Sequence, residues 1–149
     1  MTPIFLDANV PMYAAGRPHP LKEPCRRVMR AIDRNPTAFV TNVEVLQEIL
    51  HRYLAVRRWD QGRAVFLRVV VAMEGRIEPI TQEDVELAAD IADRHPTLDA
   101  RDLLHTAVMS RLRIARIVST DTGCDRIDGI ERLDPMRFEE WAPSITDPV

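Results

Sequence analysis

The sequence predicts an α/β protein with a central, mostly parallel sheet of about five short strands and helices on both faces. Short apolar runs, typical of buried strands, alternate along 149 residues with segments whose apolar residues recur every three or four positions. This alternation is typical of strand–helix–strand units with right-handed crossovers. The length suits one domain, which we expect over residues 1–142, followed by a C-terminal tail over 143–149.

Two of the expected strands end directly at an acidic residue. The first, Met1 to Asp7, runs through three consecutive apolar residues, and the fourth, Arg116 to Thr120, stops at Asp121. The remaining strands are expected at 38–40, 76–80 and 130–133. Pro79 cannot donate a ladder hydrogen bond, so the third strand is expected at an edge of the sheet.

Helices are expected between these strands, and residues that favour helix ends bound them. Their expected spans are 9–15, 21–34, 42–56, 60–73, 81–95, 99–113 and 134–141. Asn9 is a candidate N-cap of the first helix. Thr41 and Glu44 predict a capping box for the third helix, and the segment 81–84 predicts another capped start.

The composition places the chain among globular proteins, with 46% apolar and 29% charged residues and a net charge of −3. No apolar run approaches the roughly 20 residues of a membrane span, and no secretory signal pattern begins the chain. We therefore expect a cytoplasmic protein without a membrane partner. Cys25 and Cys124 are far apart and form no CxxC motif, which predicts reduced thiols and argues against zinc. Arginines outnumber lysines 19 to one; arginine suits phosphate recognition, although genome base composition can cause the same bias.

Four acids are candidates for a common site at the carboxyl edge of the sheet. If the first and fourth strands are neighbours, Asp7 and Asp121 end at the edge where open α/β sheets place ligands. Glu48 lies on the second turn of the helix after the second strand, and Asp102 lies on the first turn of a later helix. These two helices could bring their acids to the same edge.

Most of these acids also have a purely structural explanation. Asp102 could favour the positive end of its helix, and Asp121 could cap a turn. Glu48 could be a solvated acid opposite the apolar face of its helix, which comprises Leu46, Ile49, Leu50, Tyr53 and Leu54. Asp7 is the hardest to explain in this way, because a lone buried carboxylate is costly. The capping box already explains Glu44, so Glu48 is the better candidate for chemistry.

Four converging carboxylates would repel one another unless a cation lay between them. Mg²⁺ prefers oxygen ligands, and Mn²⁺ also suits carboxylates and water. Such a site can activate water for phosphodiester hydrolysis. The sequence contains no P-loop, nucleophile elbow or glycine-rich dinucleotide turn that would indicate a different chemistry.

Four stretches, in order along the chain, resemble the motifs of PIN domains. Residues 4–9 (I-F-L-D-A-N) resemble the opening strand, and residues 41–48 resemble the segment T-S-x-x-x-x-x-E. Residues 101–107 resemble D-A-L-H-A-A, and residues 119–135 are similar to the ending S-T-D-x-x-F-D-x-I-x-G-I-x-R-x-D-P. The likeness spans most of the chain and is greatest to VapC-type toxins, which are small bacterial PIN ribonucleases encoded beside an antitoxin.

The resemblance implies a PIN-like fold, an Mg²⁺-dependent endoribonuclease for which Mn²⁺ may substitute, an RNA substrate, a VapB-type antitoxin partner and a homodimer. It assigns the acidic site to Asp7, Glu48, Asp102 and Asp121. The metal ligands would be Asp7, Asp102 and Asp121, with Asp125 and Asp99 as possible auxiliary residues. Arginines that could hold phosphates are Arg17, Arg57, Arg58 and Arg101.

Several alternatives remain open at this point. A PIN nuclease could act in RNA maturation without an antitoxin, or a catalytically silent PIN domain could serve as a binding module. A phosphoacceptor signalling domain also collects acids at strand ends, but it needs a lysine near them, and Lys22 is the only lysine. His105 is either a functional polar residue or, as we favour, a structural one. Cys124 and Thr106 depart from the family pattern without removing a carboxylate.

Overall fold

A computed structural model describes residues 2–146 and shows a five-stranded parallel sheet. The strands are β1 (Ile4–Leu6), β2 (Phe39–Asn42), β3 (Ile77–Glu78), β4 (Arg116–Val118) and β5 (Glu131–Leu133). Their order across the sheet is β3-β2-β1-β4-β5, and all four pairings are parallel. The predicted fold class is confirmed, and so is the edge position of the third strand.

Eight α-helices surround the sheet in the described part of the chain. They are α1 (Asn9–Ala15), α2 (Lys22–Arg34), α3 (Val43–Ala55), α4 (Trp59–Ala72), α5 (Gln82–Arg94), α6 (Ala100–Leu112), α7 (Phe138–Trp141) and α8 (Pro143–Thr146). No helix within these residues combines the length and the apolar character that a bilayer span requires.

The C-terminal region differs from the expectation in two places. The segment predicted as one helix over 134–141 begins with a 3₁₀ turn, Pro135–Arg137, and only then becomes α7. The segment expected as a tail begins with α8, whose Ile145 is 5% exposed and belongs to the main hydrophobic core. Residues 147–149, like Met1, lie outside the described residues.

The central strand β1 is buried on both faces, as expected for a parallel sheet covered by helices. Its register against β4 pairs Phe5 with Ile117 and Leu6 with Val118. The next residue, Asp7, donates its backbone N–H to Val118 O at 3.1 Å. The ends of β1 and β4 are therefore neighbours, which is the condition under which Asp7 and Asp121 were expected to meet.

Asn42 is the cap of α3, and the predicted Thr41–Glu44 capping box is wrong. The Asn42 side chain accepts a hydrogen bond from Val45 N, whereas Thr41 Oγ1 donates to Leu6 O at 2.8 Å. The strand β2 continues two residues further than predicted, and this moves the start of the helix along the chain. By contrast, the capped start at Thr81 is confirmed, with Asp84 completing the box.

The N-cap prediction for α1 is also wrong, because the residue in the cap position is Ala8. Asn9 is the first helical residue, and its side-chain amide is engaged with residues of the acidic site described below. Cys25 and Cys124 are free, as expected, and both are buried; burial raises the pKa of Cys25 to about 12.

The buried face of α3 is rotated from the predicted apolar stripe. Leu50 and Leu54 are 38% and 52% exposed, whereas Val45, Glu48 and Ile49 are buried. The predicted stripe treated every leucine as a core residue. In the structure, the face turned to the sheet edge carries Glu48, which is therefore no surface acid.

Gly62 lets α3 and α4 approach closely, so Gly62→Ala is expected to destabilise the protein. A Cβ at this position would lie 2.6 Å from Tyr53 Cγ and 2.8 Å from Trp59 Cε3, so one helix must shift. We expect a loss of about 1–3 kcal/mol in the free energy of unfolding, typical of overpacking. Urea denaturation measures it, with Gln61→Ala on the exposed neighbouring position as control. Helix propensity alone would raise the stability of the Gly62→Ala variant. An unchanged or raised free energy of unfolding would therefore contradict the close contact between α3 and α4.

Candidate metal centre

The four predicted acids line one cavity at the carboxyl ends of β1 and β4. The cavity has a volume of about 270 Å³. Its lining comprises Asp7, Asn9, Tyr13, Glu48, Arg52, Asp99, Arg101, Asp102, His105, Thr120 and Asp121. The structure therefore brings together side chains that are up to 114 positions apart in the sequence.

Asp7 is held in one orientation by hydrogen bonds to both of its oxygens. Oδ1 accepts from Ala8 N at 2.8 Å, and Oδ2 accepts from Ser119 Oγ at 2.7 Å and from Asn9 Nδ2 at 3.2 Å. The residue is 5% exposed. Burial alone would raise its pKa, but the nearby His105 ring and the hydrogen bonds from Ser119 and Ala8 hold the pKa below its usual value. Asp7 is thus an ionised carboxylate.

Glu48 enters the cavity from α3, where two arginines contact the same oxygen. Arg101 Nη1 lies 2.9 Å and Arg52 Nε lies 3.2 Å from Glu48 Oε1. Glu48 is 8% exposed. Burial and the charge of Asp7 raise the pKa of Glu48, and the two arginines act in the opposite direction. Arg101, a candidate phosphate ligand from the sequence, is therefore engaged with the site's own acid.

Asp102 and Asp121 meet across the loop that follows β4. Asp121 Oδ1 accepts from Gly123 N at 3.0 Å, so this acid does cap a turn as well as line the cavity. A Cβ on Gly123 would lie 2.5 Å from Asp102 Oδ2. Only glycine lets the backbone pass this close to the Asp102 carboxylate.

The pKa of Asp102 is raised to about 7. Burial is the largest cause, followed by the negative charges of Asp99, Asp121 and Asp7. Asp102 is 7% exposed, so water relieves little of this repulsion. Burial and the neighbouring negative charges therefore both favour the protonated form of Asp102.

Asp99 has a structural task in addition to its place at the cavity. It is the N-cap of α6, and its Oδ1 accepts from Asp102 N at 2.9 Å. Its Oδ2 lies 3.4 Å from Arg101 Nη2. Asp99 consequently fixes the first turn of the helix on which Asp102 lies.

His105 is completely buried beneath Asp7, and a neighbouring amide fixes its tautomer. Asn42 Oδ1 accepts from Val45 N, so Asn42 Nδ2 is the group that faces His105 Nδ1 at 3.0 Å. The amide nitrogen donates, so Nδ1 accepts and Nε2 carries the proton. This Nε2 has no hydrogen-bond partner among the described residues and lies 3.6 Å from Asp7 Oδ1.

This arrangement decides which atoms suit a cation. Oxygens of Asp7 and Glu48 and a ring nitrogen of His105 lie within 4.8 Å of one another. The lone pair of His105 points to Asn42, which leaves the carboxylates as the donors. An all-oxygen set, in which burial and neighbouring acids raise the pKa of Asp102 to about 7, fits a hard divalent cation.

Two residues considered from the sequence lie away from the cavity lining. Asp125 is exposed and pairs with Arg132 Nε at 3.0 Å. Lys22 donates from Nζ to Gly16 O, so the phosphoacceptor alternative has no lysine at the acids. Sequence reasoning missed Asn9 and Ser119, whose side chains join the ends of β1 and β4. Their signal was a polar residue placed two positions from an acid at a strand end.

The fold and site together define a parallel α/β protein with a carboxylate-lined cavity at the carboxyl edge of its sheet. A sequence model of the PIN domain matches residues 4–130. The chain belongs to the PIN-domain family.

Named relatives match nearly all of their own length. The ribonuclease VapC13 of Mycobacterium tuberculosis is 41% identical over 130 residues, covering 87% of this chain and 98% of the relative. The ribonuclease VapC23 of the same species is 39% identical over 118 residues, covering 79% and 92%.

Solved structures share the fold at lower sequence identity. FitAcB from Neisseria gonorrhoeae superposes with a TM-score of 0.67 at 19% identity, covering 90% of this chain and 99% of that chain. A toxin–antitoxin complex from Klebsiella pneumoniae gives a TM-score of 0.60 at 14% identity, covering 89% and 97%. These likenesses establish the PIN-like architecture.

Proposed function

We propose that this protein is a metal-dependent endoribonuclease, the VapC-type toxin of a toxin–antitoxin pair, which hydrolyses RNA phosphodiester bonds. One observation carries the proposal: buried Asp7, Glu48 and Asp102 converge with Asp121 on a single cavity at the sheet edge. Relatives of this chain at about 40% identity are named VapC ribonucleases.

Asp7, Asp102 and Asp121 would hold Mg²⁺, for which Mn²⁺ would substitute. Their oxygens match the ligand preference of both ions, and positive charge would relieve the repulsion that raises the pKa of Asp102. When bound, the cation supplies an acidified water and neutralises charge on the phosphate in the transition state.

The chain's own side chains supply the orientation. Glu48 keeps Oε2 free of protein partners among the described residues, because both arginines contact Oε1. Glu48 Oε2 would therefore accept a hydrogen bond from the attacking water. Arg101 and Arg52 place positive charge at the cavity, where a phosphate would enter. Asp99 would be an auxiliary residue of the site, as the sequence indicated. Asp125 would belong only to the loop around the site.

The partners follow from the same proposal. RNA would be the substrate in the cytoplasm, and a VapB-type antitoxin would bind the protein. Two structural neighbours are a toxin–antitoxin complex and FitAB bound to a DNA fragment. Exposed apolar residues on α3 and α4, among them Leu54, Leu67 and Val71, offer a surface for such a partner or for a homodimer.

RNA cleavage that requires a divalent cation is the expected result for the purified protein freed of any antitoxin. Total RNA incubated with Mg²⁺ or Mn²⁺ should give discrete products, and excess EDTA should abolish them. Products that persist in EDTA would contradict a metal-dependent nuclease. If no RNA is cut and isothermal titration detects no Mn²⁺ binding, the enzymatic proposal fails in favour of a silent binding module.

A further inference from the structure

A second, larger groove lies beside the acidic cavity. It has a volume of about 1030 Å³ and runs between α1, α2 and the α3–α4 hairpin. Five arginines and no acidic residue line it: Arg17, Arg26, Arg30, Arg58 and Arg68. The whole chain carries a net charge of −3, so this concentration of positive charge is a local feature of one face.

The groove and the acidic cavity are lined by consecutive residues of the same two helices. On α1, Tyr13 lines the cavity and the next residue, Ala14, lines the groove. On α3, Arg52 lines the cavity and the next residue, Tyr53, lines the groove. Because consecutive helix residues point to neighbouring sides of a helix, a polymer leaving the cavity would cross α1 or α3 to reach the groove.

Three of the five arginines have charge available for a ligand. Arg17, Arg26 and Arg58 are exposed and form no ion pair within residues 2–146. The other two are partly committed, since Arg30 pairs with Glu23 at 2.7 Å and Arg68 pairs with Asp33 at 2.8 Å. Free guanidinium groups that face a common space form a typical phosphate-binding surface.

The small volume of the acidic cavity leaves most of a nucleic-acid substrate outside it. At about 270 Å³ it is smaller than the roughly 300–1,000 Å³ of pockets that enclose a drug-sized ligand. Only the nucleotides at the cut can occupy it. The flanking strand must lie on the adjoining surface, and its phosphates require positive charge.

We propose that this arginine groove binds the RNA strand on one side of the scissile phosphate, with Arg17, Arg26 and Arg58 contacting successive backbone phosphates. The inference rests on the proposed ribonuclease function and extends it from the cut site to the substrate path. A positively charged groove that follows a flexible backbone is the usual design for single-stranded nucleic acid.

Binding of a fluorescently labelled single-stranded RNA tests the groove separately from catalysis. The parent protein carries Asp7→Asn, so that the RNA stays intact. The triple variant carries Arg17→Ala, Arg26→Ala and Arg58→Ala in addition. We expect the triple substitution to weaken binding at least 10-fold. The slope of log affinity against log salt should become shallower by about 2, because each phosphate contact contributes about 0.7. The matched control carries Arg34→Ala, Arg94→Ala and Arg137→Ala, which lie outside the groove, and should bind within about twofold of the parent.

Each outcome has a defined meaning. Equal affinity and equal salt slope in the triple variant and the parent would overturn the groove assignment. Cleavage assays with Asp7 restored separate this inference from the proposed function. The triple variant should cut a long RNA with a raised KM. It should cut a short RNA that covers only the cut site with an unchanged KM. If the protein with all its native residues cuts neither RNA, the proposed function itself fails.

Discussion

Replacing Asp7 by Asn is expected to lower the rate of RNA cleavage by at least about 10²-fold, the scale on which removal of one preorganised electrostatic group acts. Asp7 is the acid whose pKa is held low, so it contributes a full negative charge to a cation. The amide has nearly the same shape but no charge, and it cannot accept at both positions where Ala8 N and Ser119 Oγ donate. Both the charge and the fixed orientation of this ligand are lost.

The measurement pairs initial rates of cleavage with calorimetric titration of Mn²⁺. The variant should bind Mn²⁺ more weakly and remain folded, as circular dichroism would show. Asp90→Asn is the matched control, because Asp90 is an exposed acid on α5 outside the cavity lining, and it should cleave at the wild-type rate. A variant that retains more than a tenth of the wild-type rate at saturating Mg²⁺ would remove Asp7 from the proposed ligand set.

The acids at the strand ends could be predicted from local sequence, because each directly follows a predicted apolar strand. An acid that directly follows a buried parallel strand lies at the carboxyl edge whatever the register, and the pairing of β1 with β4 then places Asp7 near the Asp121 loop. The burial of β1 on both faces is equally evident from its unbroken apolar run. The acid at each strand end is evident from local sequence, whereas the pairing of β1 with β4 is a feature of the folded sheet.

The helix-borne part of the site depends on rotation and capping, which sequence reasoning fixed less well. In the structure the N-cap of α3 is Asn42, and Leu50 and Leu54 are exposed. Glu48 is buried, whereas the predicted apolar face placed it in solvent. The periodicity of apolar residues predicts the buried face of a helix, but it does not show that an acidic residue lies on that face. Only the family resemblance had indicated Glu48 strongly. The arginines that contact it, Arg52 and Arg101, come from two different helices, and no local pattern predicts that convergence.

Asn42 shows why capping and site geometry were linked. Its side chain caps α3 through Oδ1 and at the same time faces His105 through Nδ2. A prediction that gives the cap to Thr41 also loses the group that fixes the His105 tautomer. The structural role favoured for His105 is therefore supported by a contact that lies 63 positions away in sequence.

Asp102→Asn is expected to stabilise the metal-free protein at neutral and higher pH, although it removes a proposed ligand. The pKa of Asp102 is raised in the folded state from 3.8 to about 7, so the folded protein holds this proton more tightly than the unfolded chain does. The contribution of Asp102 to stability is therefore most favourable below about pH 4. It falls as the pH rises from about 4 to about 7, and is constant above that range. A shift of about three units corresponds to an upper bound of about 4 kcal/mol.

Urea denaturation in EDTA across this pH range measures the effect. The difference in free energy of unfolding between the variant and the wild type should grow from about zero near pH 4 to about 1–4 kcal/mol above pH 7. Asp90→Asn should show no such pH-dependent gain. A variant that is no more stable than the wild type above pH 7 would contradict the raised pKa of Asp102 in the folded protein.

Added Mg²⁺ should reverse the order of stability, and this reversal connects the fold to the proposed activity. A ligand that binds only the folded state stabilises it in proportion to RT ln(1 + [L]/Kd), and the wild type should bind the cation more tightly than the variant. The repulsion around Asp102 is an unfavourable interaction in the metal-free protein. In the proposed metal site it would also be a source of the difference in cation affinity between the two proteins. A gain from Mg²⁺ that is equal in both proteins would place the bound ion away from Asp102.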